Sequence, residues 1–213
     1  MRTYWIKTPD WLPRLFPRTL TWKMPETTEP TVYLTFDDGP HPHATPFVLD
    51  ILQQANAYAS FFCIGKNVSS YPEIYQRILS EGHTAGNHTF HHLNGWKNTN
   101  HAYYRSILEA HKLIHNRIFR PPYGRIKHSQ VNKLTASQNP WKIYMWDVLS
   151  GDFDMNLSPE SCRDNVIKNI EPGSIVVFHD SEKAWPRMQY ALPHVIDFCL
   201  QQNWKIHALP NML

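Results

Sequence analysis

The sequence predicts an α/β fold, a single domain built on a mainly parallel sheet. Three observations carry this expectation. From residue 31 onward, short apolar runs alternate with helix-like stretches about seven times, the pattern of a parallel sheet covered by helices. The chain has 213 residues, long enough for one well-buried α/β domain and short for two. Finally, Asp37, Asp38, His88, Arg120, Asp152 and His179 all fall at or just past the carboxyl ends of the expected strands. That rim is where barrel-like α/β folds build their chemistry.

Residues 1–30 differ from the rest. Pro9, Pro13, Pro17, Pro25 and Pro30 exclude a long helix, and Trp5, Trp11, Leu15, Phe16 and Trp22 lie between basic residues. The segment is expected to be an N-terminal arm packing on the domain, with weak membrane-surface contact as the sharper alternative. Residues 31–213 are expected to form the main domain. Its expected strands are Val32–Phe36, Ala59–Ile64, Thr84–Asn87, Ile118–Arg120, Lys142–Trp146, Ser174–His179 and Lys205–Leu209. Between them, Thr45-Pro46 starts a helix in cap-then-proline order, with Val48, Ile51, Leu52 and Ala55 on one face. Pro72 opens a second, carrying Ile74, Ile78 and Leu79, and Gly82 stops it. Tyr104, Ile107, Leu108 and His111 mark a third, and Val131 and Leu134 a weaker fourth. Ser158-Pro159 caps a fifth with Cys162, Val166 and Ile170 in register, and Val195, Ile196 and Cys199 mark the last.

Composition narrows the function classes. A net charge of +3, scattered along the chain, does not argue for nucleic acid. No stretch approaches a membrane span. The three cysteines, Cys63, Cys162 and Cys199, are far apart in apolar settings, which suits reduced buried thiols. The N-terminus lacks a continuous apolar h-region, so a cytoplasmic location is expected, with peripheral membrane association as the variant.

The chemistry concentrates in a few motifs. Asp37-Asp38-Gly39 follows a buried strand, and two adjacent carboxylates there need cations to offset them. His88 and His92 stand at i, i+4, on one face if that segment is helical. With one distant carboxylate they suit a Zn²⁺ site that leaves a position open for water, while the second carboxylate is free to act as a base. Arg120 is placed to pair with a carboxylate of the acidic pair. In Arg120-Pro121-Pro122-Tyr123-Gly124 the prolines fix the direction of the Tyr123 backbone N–H, a candidate oxyanion donor. His179 ends an apolar strand and, near a carboxylate, suits a general acid.

These motifs, in this order, resemble the polysaccharide deacetylase domain, also called the NodB homology domain or carbohydrate esterase family 4. The likeness covers roughly residues 31–210 and rests on Thr35-Phe36-Asp37-Asp38-Gly39, His88-Thr89-Phe90-His91-His92, Arg120-Pro121-Pro122-Tyr123-Gly124, Asp152-Phe153 and Val177-Phe178-His179. The resemblance implies a distorted, incomplete (β/α)7 barrel. It also implies a divalent metal, zinc first, with Co²⁺, Ni²⁺ or Mn²⁺ as alternatives, held by Asp38, His88 and His92. Asp37 is then the base, Arg120 its tuning partner, His179 the acid, Asp152 its orienting group and Tyr123 the oxyanion donor. The implied reaction removes N-acetyl, or O-acetyl, groups from a sugar or polysaccharide. The alternatives are deacylation of a lipid-linked sugar or a non-sugar amide, or a silent metal- or sugar-binding module. The chain departs from the family pattern at two acyl-pocket positions, where Phe153 replaces the usual Trp and Val177 the usual Leu. These smaller side chains either widen the pocket or leave a gap for another aromatic, Trp146 or Trp185. The loops at residues 41–44, 95–100 and 182–187 are expected to set the choice of substrate.

Overall fold

The long apolar run after residue 30 becomes the central strand of a parallel sheet in the computed structural model, which describes residues 4–211. That strand is β2 (Thr31–Asp37), buried along its whole length. Side chains alternate between the faces of a strand, and both faces here are covered. Val32, Leu34 and Phe36 meet the outer helices, whereas Tyr33 joins a second cluster with Phe62, Ile118 and Tyr144. Phe36 stacks between Phe61 and Phe178 of the neighbouring strands, at 5.1 and 6.0 Å. Residues at odd positions therefore face the interior of the curled sheet, and Asp37 is the last of them.

Around β2 the chain forms β1 (Leu20–Thr21), α1 (Ala44–Gln54), β3 (Ser60–Cys63), α2 (Gly65–Ser70), α3 (Pro72–Ser80), β4 (Thr84–Asn87), α4 (Asn100–His111) and β5 (Ile118–Phe119). It continues through α5 (His128–Thr135), β6 (Lys142–Tyr144), β7 (Val148–Leu149), α6 (Pro159–Ile167), β8 (Ile175–His179), α7 (Trp185–Gln201) and β9 (Lys205–Ile206). The sheet runs β1-β6-β5-β4-β3-β2-β8-β7, all parallel, with β9 also beside β2. It is a curled, incomplete barrel whose free edges, before the N-terminal segment is added, are β6 and β7.

Helices cover the outer face as expected, and α3 opens on Pro72 and stops before Gly82, whose φ of 84° suits glycine. The Ser158 hydroxyl caps α6 by accepting from the Ser161 N–H. Thr45 does not cap α1, which begins at Ala44; its hydroxyl instead donates to Asp180 at 2.5 Å and accepts from the His41 N–H. The expected strand at Lys142–Trp146 stops at Tyr144, because the chain turns there to form β7. The strands expected at Ile118–Arg120 and Lys205–Leu209 are likewise two residues long. The short helix α2, and β1 and β7, have no counterpart in the sequence reading.

The N-terminal segment touches both free edges. Leu20 and Thr21 pair with Ile143 and Tyr144 of β6. Residues 6–8 run antiparallel to β7, with Leu149 N–H donating to Ile6 O at 2.8 Å and Thr8 N–H to Asp147 O at 2.7 Å. All three cysteines are free and buried. Among the described residues no helix is long and apolar enough to cross a membrane.

Candidate active site

Asp37 and Asp38 would point to opposite faces of a regular strand. Asp38 instead takes a left-handed backbone, φ 83°, and both carboxylates line one cavity of about 1130 Å³. Gly39 permits the close turn that follows. A Cβ there would lie 2.0 Å from the Asp180 carboxylate, which accepts the Gly39 N–H at 3.0 Å.

The segment after β4 is not helical, so the i, i+4 argument for His88 and His92 does not hold. A pinned loop brings the two imidazoles together instead. The Asn87 side chain accepts from Thr89 N–H, the Thr89 hydroxyl from Leu93 N–H, and the Ser106 hydroxyl from Phe90 and His91 N–H. Thr89 (φ 62°) and His92 (φ 54°) are left-handed. Among the described residues six non-glycine residues have positive φ; three of them, Asp38, His92 and Tyr123, line this cavity, and a fourth, Thr89, lies in the loop between the two imidazoles. Clustering of strained backbone is characteristic of functional sites. His91 points away, toward Glu109 at 3.9 Å.

The Asp38, His88 and His92 donor atoms lie within 4.8 Å of one another. Asp38 Oδ1 is 3.2 Å from His92 Nε2 and 3.7 Å from His88 Nε2, and it is buried without a hydrogen bond of good geometry. His88 Nδ1 meets the Arg120 carbonyl at 2.8 Å, so that nitrogen carries the proton and Nε2 presents its lone pair to the cluster. Burial pushes the His88 pKa down to about 4 and keeps the ring neutral. Burial alone would raise the Asp38 pKa, but the His92 contact and then the nearby His179 charge hold it well below the usual carboxylate range. An orphaned buried oxygen beside two imidazole nitrogens fits a divalent cation.

Two ion pairs flank this cluster. Fully buried Arg120 donates from Nη1 to Asp37 Oδ1 at 2.8 Å and to Thr35 Oγ1 at 2.7 Å. Its remaining donors reach the Tyr144 and Met145 carbonyls, and its guanidinium lies 4.1 Å over the Phe62 ring. His179 is directly in register with Asp37 across the β2–β8 pair. Buried Asp152 accepts from His179 twice, from Nδ1 at 2.8 Å and from the backbone N–H at 2.6 Å. Burial alone would lower the His179 pKa. The charge and hydrogen bond of Asp152, then the charges of Asp38 and Asp37, push it up to about 10.

Tyr123 sits in a tight turn over Pro122–Gly124 with φ 59°. Its ring lies 4.5 Å from that of His92. Gly124 is required behind it, since a Cβ there would meet the Trp146 ring at 2.7 Å. Phe153, Val177 and Trp146 line the same cavity. Trp185 does not; it packs on Phe47. Of the three loops expected to face substrate, those at residues 95–100 and 182–187 supply Trp96, Lys97, Glu182 and Lys183. The loop at 41–44 stands behind them, with His41 3.4 Å from Glu182. Arg125, stacked on Trp96 at 4.1 Å, and Tyr4 also line the cavity. Arg125 directly follows a recognised motif, whereas no pattern in the sequence marks Tyr4.

A carboxylate and an imidazole on adjacent strand ends, beside three residues that could hold a metal ion, are the groups that a metal-assisted hydrolase of amide or ester bonds uses. Residues 25–139 match the polysaccharide deacetylase family. The chain is 32% identical over 200 residues to a peptidoglycan-N-acetylglucosamine deacetylase of Bacillus cereus, covering 91% of this chain and 92% of that protein. It is 34% identical over 157 residues to a chitooligosaccharide deacetylase of Azorhizobium caulinodans, covering 70% and 73%. The fold matches the Bc1960 peptidoglycan N-acetylglucosamine deacetylase, solved with 4-naphthalen-1-yl-N-oxidanyl-benzamide. The TM-score is 0.85 and the identity 30%, over 95% of each chain. The chain belongs to the polysaccharide deacetylase family.

Proposed function

We propose that the protein hydrolyses the acetamide of N-acetylglucosamine units in a glycan of the peptidoglycan or chitin-oligomer type. The observation that carries this is the separation of roles between two neighbouring carboxylates. Arg120 holds Asp37, and Asp38 faces two imidazoles. The names of the relatives support the sugar and the bond.

Asp38, His88 and His92 would hold the cation, and their one-carboxylate, two-imidazole set favours zinc. Bound there, it would supply Lewis acidity to the substrate carbonyl and the attacking water. Asp37, fixed by Arg120, takes a proton from that water. The Tyr123 N–H, in its rigid Pro-Pro turn, donates to the developing oxyanion, a contribution typically of ~3–4 kcal/mol. His179 delivers a proton from Nε2 to the leaving nitrogen, while Asp152 fixes the ring through Nδ1. The products are acetate and a free amino sugar.

Acetate release from N-acetylglucosamine oligomers and from peptidoglycan, with added Zn²⁺, tests the proposal. Asp37→Asn is expected to lower turnover by roughly 10²–10⁴-fold. Wild-type protein that releases no acetate from either substrate, or an Asp37→Asn variant as active as wild type, would contradict it.

A further inference from the structure

The two free edges of the sheet are joined by the N-terminal segment. Residues 6–8 add to β7, Leu20–Thr21 to β6, and the intervening chain crosses the opening between them. Lys7 fastens this strap. Its Nζ donates to Asp147 Oδ2, Glu171 Oε1 and the Asn169 carbonyl, each at 2.9 Å. Just before the paired residues stands Tyr4, half-buried in the cavity wall. Its hydroxyl donates to Asp154 Oδ2 at 2.7 Å and its ring lies 5.1 Å from that of Phe153. Phe153 in turn meets the His179 ring edge-on at 5.3 Å. The order in space is Tyr4, Phe153, His179. Gly151, with φ 78°, lies beside it: a Cβ there would meet the Leu157 side chain at 2.8 Å and the Tyr4 hydroxyl at 3.3 Å.

Leu149, Phe153, Val177 and Tyr4 form an apolar wall beside His179, and Asn94, Lys97, Arg125 and Lys183 add polar groups elsewhere in the lining. Hydrolysis puts the carbonyl carbon near Asp37 and the leaving nitrogen at His179. The sugar hydroxyls then go to the polar groups and the alkyl end of the acyl group to the apolar wall. We infer that Tyr4 is a specificity-determining residue: it backs Phe153 and limits the acyl side of the site to a small group such as acetyl. This inference rests on the proposed deacylase function. It explains how the chain keeps a filled wall with phenylalanine and valine at 153 and 177. An aromatic ring from the strap, not Trp185, occupies the added space.

The test compares N-acetyl, N-propionyl and N-butyryl glucosamine oligomers with wild-type, Tyr4→Ala and Tyr4→Phe proteins. In Tyr4→Ala the ratio of kcat/KM for butyryl to that for acetyl is expected to rise about tenfold, the scale of discrimination per methylene in an apolar pocket. Tyr4→Phe, which keeps the ring, is expected to retain the wild-type ratio. Calorimetric binding of butyrate against acetate reads the same preference without turnover and is expected to move in the same direction. A ratio unchanged in Tyr4→Ala, in turnover or in binding, would overturn the inference. Wild-type protein that cleaves no N-acyl sugar would instead overturn the proposed function, and the binding ratio would still decide the role of Tyr4.

Discussion

The Asp37–Arg120 and Asp152–His179 pairs use the same two kinds of charge and present them to the cavity in opposite order. In the first the cation is hidden, Arg120 at 0% side-chain exposure, and the carboxylate of Asp37 reaches the surface at 6%. In the second the carboxylate of Asp152 is hidden at 0% and the imidazole of His179 reaches the surface at 16%. In the proposed reaction the accessible member is the base in one pair and the acid in the other. A buried partner of opposite charge stands behind each accessible group, and for His179 that partner favours the charged form. The two strands that carry them are neighbours in register, so the base and the acid face one substrate from adjacent strand ends.

Removing the hidden partner tests this difference, and the largest effect is expected at Arg120. Arg120→Leu leaves the Asp37 carboxylate buried without its cation and the Tyr144 and Met145 carbonyls without their donors. The expected loss is about 3–5 kcal/mol of folding stability, measured by urea denaturation. A loss below about 1 kcal/mol would show that the pair does not hold the centre of the sheet. At the accessible end of the other pair, His179→Ala is expected to slow amide hydrolysis by roughly 10²–10⁴-fold. Aryl acetates should be affected far less, because their leaving groups need no proton. Equal losses on both substrates would remove His179 from the acid role.

The smallest effect is expected at Asp152. The folded pKa of His179 is raised, to about 10, above the ordinary histidine value near 6.5. Its stabilising contribution is therefore complete below about pH 6.5 and is lost as pH rises through about 10. Asp152→Asn removes the largest raising influence, so the His179 pKa falls. The alkaline limb of the pH–rate profile, where the acid loses its proton, then moves to lower pH. An alkaline limb that stays in place would contradict the assignment of Asp152 as the group that keeps His179 charged.

Much of this site was legible in the sequence because its titratable groups stand at the ends of apolar runs, where a parallel sheet gathers them on one rim. Spacing alone left the Arg120 partner open between two carboxylates, and only the family resemblance implied Asp37. The alternation along β2 sets Asp37 on the interior face beside Thr35, where Arg120 meets it. The convergence of His88 and His92 is as expected, but the loop that produces it is not legible in their spacing. Side-chain hydrogen bonds to the loop backbone and two left-handed residues bring the imidazoles together, and spacing alone suggests a helix. Strands β1 and β7, two residues each, are too short to show any periodicity. Tyr4 was invisible because its partner Asp154 is 150 positions away and no local pattern announces such a contact.

The central claim is that Asp38, His88 and His92 share one cation while Asp37 does not bind it. The most direct measurement is zinc content after exhaustive dialysis of Asp37→Asn and Asp38→Asn proteins, side by side with wild type. The expected result is near-stoichiometric zinc in wild type and Asp37→Asn, and little in Asp38→Asn. Zinc retained by Asp38→Asn and lost from Asp37→Asn would contradict it.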